Sequence, residues 1–138
     1  MKLSFWIIII SAIVLTSCKK EDTEEPTIKN LEIGENNNEI LMVEEDAKIE
    51  FTARDNEELS YYDLHIFRKT DSRGDSPSDN DWEYSEQISF TEETEENVSV
   101  PGVNPPSSTT YGFYLFKLKI FDKSGNMHFH SDTVYVTN

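Results

Sequence analysis

Cys18 is the only cysteine of the chain, and its thiol is the one soft nucleophile present. A lone thiol forms no intramolecular disulfide and builds no thiolate metal site. A second chemistry is available to oxygen. Asp55, Glu57 and Glu58 sit in one short polar segment, and Asp122 and Asn126 bracket another. Oxygen-only ligands suit a hard cation, so this set predicts a weak calcium site, provided the fold brings the two segments together. The same residues also suit ordinary turns, Asp accepting backbone N–H groups while Gly125 or Asn126 takes a positive φ. The third group is His65, His128 and His130. The last two share one face of an extended segment, but His65 lies about 9.6 Å away across two strand spacings, too far for one ion. They read as surface histidines. No serine is followed by a usable His–Asp partner spacing, and the carboxylates crowd into turns instead of converging, so no enzymatic activity is expected.

The setting of Cys18 is informative. Lys2 precedes an apolar run from Phe5 to Leu15, and Leu15-Thr16-Ser17-Cys18 closes it. The run is shorter than the roughly 20 apolar residues that span a bilayer, so it reads as an export signal. The closing residues resemble the lipobox of bacterial lipoproteins. That resemblance implies cleavage after Ser17, removal of residues 1–17, and lipidation of Cys18 with palmitate-type chains. Two or more acyl chains anchor far more firmly than one, because each buried methylene contributes about 0.8 kcal/mol. Residues 18–26, the lipidated Cys and KKEDTEEP, read as an acidic, disordered tether. Lys20-Glu21-Asp22 resembles the surface-export signal of lipoproteins of the Bacteroidota type. The resemblance implies an outer-membrane, cell-surface location, with the periplasmic face as the alternative.

Composition narrows the partners. The net charge is −15, and Lys2 is the only charged residue lost with the signal. Such a chain repels nucleic acid, whose binding needs Lys and Arg against phosphates, and it repels an anionic membrane surface. The expected partners are therefore the membrane through the lipid anchor and an unidentified protein or glycan, with no nucleic acid.

The elements that must position these residues are strands. Ile49, Phe51 and Ala53 alternate with polar neighbours, as do Tyr62, Leu64 and Ile66, then Tyr114, Phe116, Leu118 and Ile120. Ile28 to Ile33 predicts a strand broken near Leu31, and Gly34 to Asn38 a turn. Trp82, Tyr84, Ile88 and Phe90 line one face of a fourth segment, and Val98 and Val100 mark a fifth. Asn104 to Ser108 blocks a regular ladder because Pro lacks a donor. From Phe129 to Val136 the parity of Phe129 disagrees with that of Val134 and Val136, which predicts a bulge or late start. Residues 27–138 are thus expected to form an all-β, seven-stranded immunoglobulin-like β-sandwich after a lipoprotein signal peptide. Tyr114 is expected to form a tyrosine corner, its ring in the core and its hydroxyl on upstream backbone.

Phe51-Thr52-Ala53-Arg54-Asp55-Asn56 and the run from Gly112 through Asp122-Lys123-Ser124-Gly125-Asn126 resemble bacterial immunoglobulin-like and fibronectin type III-like modules. Over residues 26–138 the chain also resembles a lipoprotein domain family of unknown function, through its Pro26-Thr27-Ile28 start and final strand pair. Members of that family carry a His-rich stretch after the second alternating strand. Here the stretch is DSRGDSPSDND, so a metal role tied to it is not carried over. Within it, Arg73-Gly74-Asp75 resembles the integrin-binding loop of fibronectin, and a solvated loop is the simpler expectation. Trp82 and Tyr84 would stack on sugar rings in a glycan-binding module, but their alternation fits core-facing residues better. The expected role is a membrane-anchored surface lipoprotein displaying a non-catalytic interaction module. The alternative is a glycan-binding accessory lipoprotein of an outer-membrane nutrient-uptake system.

Overall fold

The computed structural model describes residues 21–70 and 78–138. The signal segment, Cys18 and the Arg73-Gly74-Asp75 loop lie outside the described residues. Two sheets face each other, antiparallel throughout except where β2 pairs with β8. The smaller sheet orders β1 (Thr27–Ile33), β3 (Ile49–Arg54) and β6 (Glu95–Ser99). The larger orders β2 (Ile40–Met42), β8 (Met127–Thr137), β7 (Gly112–Asp122), β4 (Leu59–Arg68) and β5 (Glu83–Ser89). This is an all-β sandwich.

Alternation decides which face is buried. In β7, Tyr114, Phe116, Leu118 and Ile120 are all fully buried. Across the interior they meet the partner sheet, where Ile49, Phe51 and Ala53 of β3 point inward. Phe51 meets Tyr62 of β4 edge-on, with ring centroids 5.3 Å apart. Such pairs add about 0.5–1.5 kcal/mol beyond the area they bury.

Three expectations need correction. The sandwich has eight described strands, one more than the seven expected. The extra one, β2, is only three residues long and pairs in parallel with β8, so it carries no alternation of its own. The chain leaves the small sheet at Ile33 and joins the large one at Ile40 by a corner built from Gly34 to Glu39. Gly34 takes φ 77°, and a Cβ there would meet the Ile40 carbonyl oxygen at 2.6 Å. Asn37 and Asn38 accept the Ile33 and Ile40 N–H groups through their side-chain oxygens.

The second correction concerns β8. Its ladder to β7 runs unbroken from Gly112↔Val136 to Phe121↔Met127, without a bulge. Phe129 keeps the strand's parity by facing outward, and His128 and His130 take the inward positions. The expected break near Leu31 is present: the β1–β3 register shifts between Lys29 and Glu32, and Asn30 has φ 51°.

The third concerns the tether. Ahead of β1, Asp22 and Pro26 are buried, while Glu21 and Thr23 to Glu25 are exposed. The segment packs on the sandwich from Asp22 onward.

Candidate functional site

One end of the sandwich gathers the N-terminal segment, the β3–β4 loop and the β7–β8 hairpin. From these three separate stretches Asp22, Asp55 and Asp122 each direct a carboxylate to one point, with one oxygen of each within 4.8 Å of the others. All three residues are buried, at 9%, 6% and 3% exposure. Local structure fixes each one. Asp55 Oδ2 accepts the N–H groups of Glu57 and Glu58 at 2.9 and 2.8 Å, closing its loop. Asp122 Oδ1 accepts the Asn126 N–H at 2.7 Å across the hairpin. Asp22 Oδ1 accepts the Glu24 N–H at 3.0 Å and the Asn56 amide at 3.2 Å. The Asn126 amide bridges two of the stretches, donating to Asp122 Oδ2 at 2.7 Å and to the Asp22 carbonyl at 3.1 Å.

Asp55 and Asp122 meet as the sequence predicts. Glu57 and Glu58 do not join them. Glu57 is exposed and Glu58 pairs with Lys123, because the loop turns their backbone, not their carboxylates, toward Asp55. Asn126 turns its amide donor to the Asp122 carboxylate and the Asp22 backbone carbonyl. Asp22 is the residue sequence reading misses. It lies 33 positions before Asp55 in a run of charges that resembles any solvated linker, and only Pro26 hints that the segment docks.

The second surface of interest is the outer face of the five-stranded sheet. Phe113 and Tyr135 meet edge-on at 5.1 Å, and Tyr61 stacks on Phe121 at 4.6 Å. Phe113, Phe129, Tyr135 and Met127 are exposed, Phe113 at 58%. Between them a shallow groove of about 550 Å³ is lined by Asp63, His65, Gln87, Lys117, Lys119 and Phe129. His65 Nε2 lies 2.6 Å from Glu83 Oε1, and Lys117 Nζ sits 4.8 Å above the Phe67 ring.

The histidines divide between faces. His65 is outward, whereas His130 is inward, its ring edge-on to Phe116. They cannot share an ion, and sidedness is a stronger reason than the strand spacing. Trp82 and Tyr84 pack against the core, 6.3 Å apart, with Trp82 6.1 Å from the Tyr114 ring. Tyr114 forms the expected corner. Its hydroxyl donates to the Thr110 carbonyl at 2.7 Å and accepts the Trp82 N–H at 3.4 Å. Burial pushes that hydroxyl above the usual tyrosine range, against the opposing effects of the Trp82 N–H and Arg68.

A family model described as "Domain of unknown function (DUF4625)" matches residues 16–137. No curated protein matches the chain. Among solved structures, the crystal structure of wild-type OgpA from Akkermansia muciniphila is similar at 8% identity and a TM-score of 0.49. That match covers 84% of this chain and 30% of the other.

Proposed function

The chain belongs to the DUF4625 family, and from that premise we propose that it is a bacterial lipoprotein, anchored through Cys18, that displays a non-catalytic immunoglobulin-like module to a protein partner. The observation that carries the reading is the outer face of the large sheet. Four of its large apolar side chains, Phe113, Met127, Phe129 and Tyr135, are exposed in a chain of net charge −15. They form two apolar pairs at the two ends of the β7–β8 ladder, Phe113 with Tyr135 and Met127 with Phe129, and exposed apolar groups on a displayed domain are what a binding partner covers. The immunoglobulin-like assignment is supported by the strand order, three strands against five with β4, β7 and β8 adjacent, and by the Tyr114 corner. The anchor is supported by the Leu15-Thr16-Ser17-Cys18 sequence, and surface display by Lys20-Glu21-Asp22.

Three experiments test it. Metabolic labelling with a palmitate analogue marks the wild type and not Cys18→Ala; label on the Ala variant removes the anchor. Protease added to intact cells then degrades the domain, and Phe113→Ser with Phe129→Ser abolishes crosslinking to its surface partner. Unchanged crosslinking in that variant removes the outer face from the reading.

The groove beside Phe129 favours a second reading, a glycan-binding accessory lipoprotein of an outer-membrane nutrient-uptake system. An aromatic ring flanked by Asp63, Gln87 and Lys119 offers a stacking face with donors and acceptors around it. A thermal shift with an oligosaccharide that Phe129→Ala removes would favour this reading over the protein partner.

A further inference from the structure

We propose that Asp22, Asp55 and Asp122 bind one calcium ion, and that the ion clamps the N-terminal tether to the end of the sandwich. Three carboxylates within 4.8 Å of one another carry like charge into a buried place. Among the described residues none of them pairs with a Lys, Arg or His. Lys123, the neighbouring cation on the hairpin, is engaged by Glu58. Acidic clusters on a surface relax by pointing apart, but these three are held by the turns that build the loops.

The free oxygens point to a ligand. Asp55 commits Oδ2 to two backbone N–H groups, and its Oδ1 is buried without any donor. Asp22 repeats the arrangement, with Oδ1 bonded to Glu24 and Asn56 and a buried Oδ2 that has none. A buried polar atom without a partner is uncommon, and two within one cluster share one explanation. The hydrogen bonds to the opposite oxygens orient each carboxylate, as outer-shell donors orient ligands in metal sites.

The donor set selects the ion. It is all carboxylate oxygen, without imidazole or thiolate, which suits a hard cation over zinc or copper. Calcium accepts irregular oxygen geometry from separate loops, whereas magnesium demands an octahedron and gives up its water reluctantly.

Asp22 gives the site a consequence that Asp55 and Asp122 alone would lack. It belongs to the stretch joining Cys18 to β1, so an ion held by all three fixes the domain close to its anchor. Fully extended, Cys18 to Asp22 reaches about 14 Å, against about 30 Å from Cys18 to Thr27. Calcium would therefore shorten the free tether by about half. The shortening rests on the Cys18 anchor; the binding does not.

The test uses the full chain in detergent, stripped with a chelator and returned to calcium or magnesium at matched ionic strength. Calcium at 10 mM should raise the melting temperature by about 5–10 °C, with a titration midpoint of about 0.1–1 mM. Magnesium should do much less. Calcium should also slow hydrogen exchange of the amides in residues 22–26. Asp55→Asn and Asp22→Asn should each remove both effects. Should Asp55→Asn fail to fold, Asp22→Asn, which lies ahead of the first strand, carries the test alone. Equal shifts with the two ions, or no shift, would mean charge screening or no site. A wild-type calcium increment surviving in Asp22→Asn, or unchanged exchange in residues 22–26, overturns the clamp. Loss of palmitate labelling would leave these outcomes untouched, so the two proposals fail separately.

Discussion

The large sheet has an inner and an outer face built from the same strands, and the two obey different rules. Along β7 the inner positions are Tyr114, Phe116, Leu118 and Ile120, all fully buried. The outer positions are Phe113, Leu115, Lys117, Lys119 and Phe121, interleaving apolar rings with two of the chain's few cations. Hydrophobic burial alone accounts for the inner face. It does not account for Phe113 or Phe129, which a solvated sheet would replace with Thr or Lys at no loss to the core. The difference separates side chains that hold the fold from exposed side chains that the core does not need.

Substitutions sharpen that contrast. Phe116→Ala should cost about 3–5 kcal/mol, because the ring is fully enclosed and the cavity cannot collapse. Phe113→Ala and Phe129→Ala should stay within about 0.5 kcal/mol of the wild type. Urea midpoints at constant slope measure both, and a large loss at Phe129 would break the comparison. Tyr114→Phe should cost about 1–3 kcal/mol, since it strips a partner from the Thr110 carbonyl and the Trp82 N–H while leaving the ring in place.

The inner face should also set the alkaline limit. Desolvation, followed by the nearby charges of Glu96 and Glu86, pushes the Tyr62 hydroxyl up to about 12. Its folded pKa exceeds the unfolded value of 10.0, so the folded state holds this proton more tightly. That contribution is complete below pH 10 and is lost as pH rises through about 12. Tyr62→Phe should flatten the fall in stability across this window, measured by urea unfolding at successive pH values. An unchanged slope would assign the alkaline loss to other groups. A small effect belongs to the outer face: Lys117→Ala removes a cation above the Phe67 ring and should cost about 0.5–1 kcal/mol or less. A double-mutant cycle with Phe67→Leu isolates it.

Period-two alternation gave a secure reading of β3, β4 and β7, because one wholly buried face makes register unambiguous. The Tyr114 corner was legible for the same reason, its ring in step with the core and its hydroxyl near the start of the strand. Alternation failed in β8. There the apolar residue with the odd parity, Phe129, belongs to the outer face, and hydrophobicity alone cannot tell an exposed apolar residue from a core one. It also failed in β2, where three residues are too few to show a period. Of the carboxylate site, Asp55 and Asp122 could be placed at one end from turn positions. The exclusion of Glu57 and Glu58 depends on how the loop closes on Asp55 Oδ2.

The sequence by itself determined the all-β class, the inner faces of the long strands, and a net charge of −15. These follow from local patterns, in which each residue's neighbours two positions away carry the information. Tertiary structure alone decided that the chain changes sheets at Gly34, that His65 and His130 lie on opposite faces, and that Asp22 closes the carboxylate cluster. Each joins residues far apart in the chain, and Asp22 and Asp122 are a hundred positions apart. A polar residue carries no mark of its burial: Asp22 and the exposed Glu21 beside it read alike until the hairpin and the β3–β4 loop close over one of them.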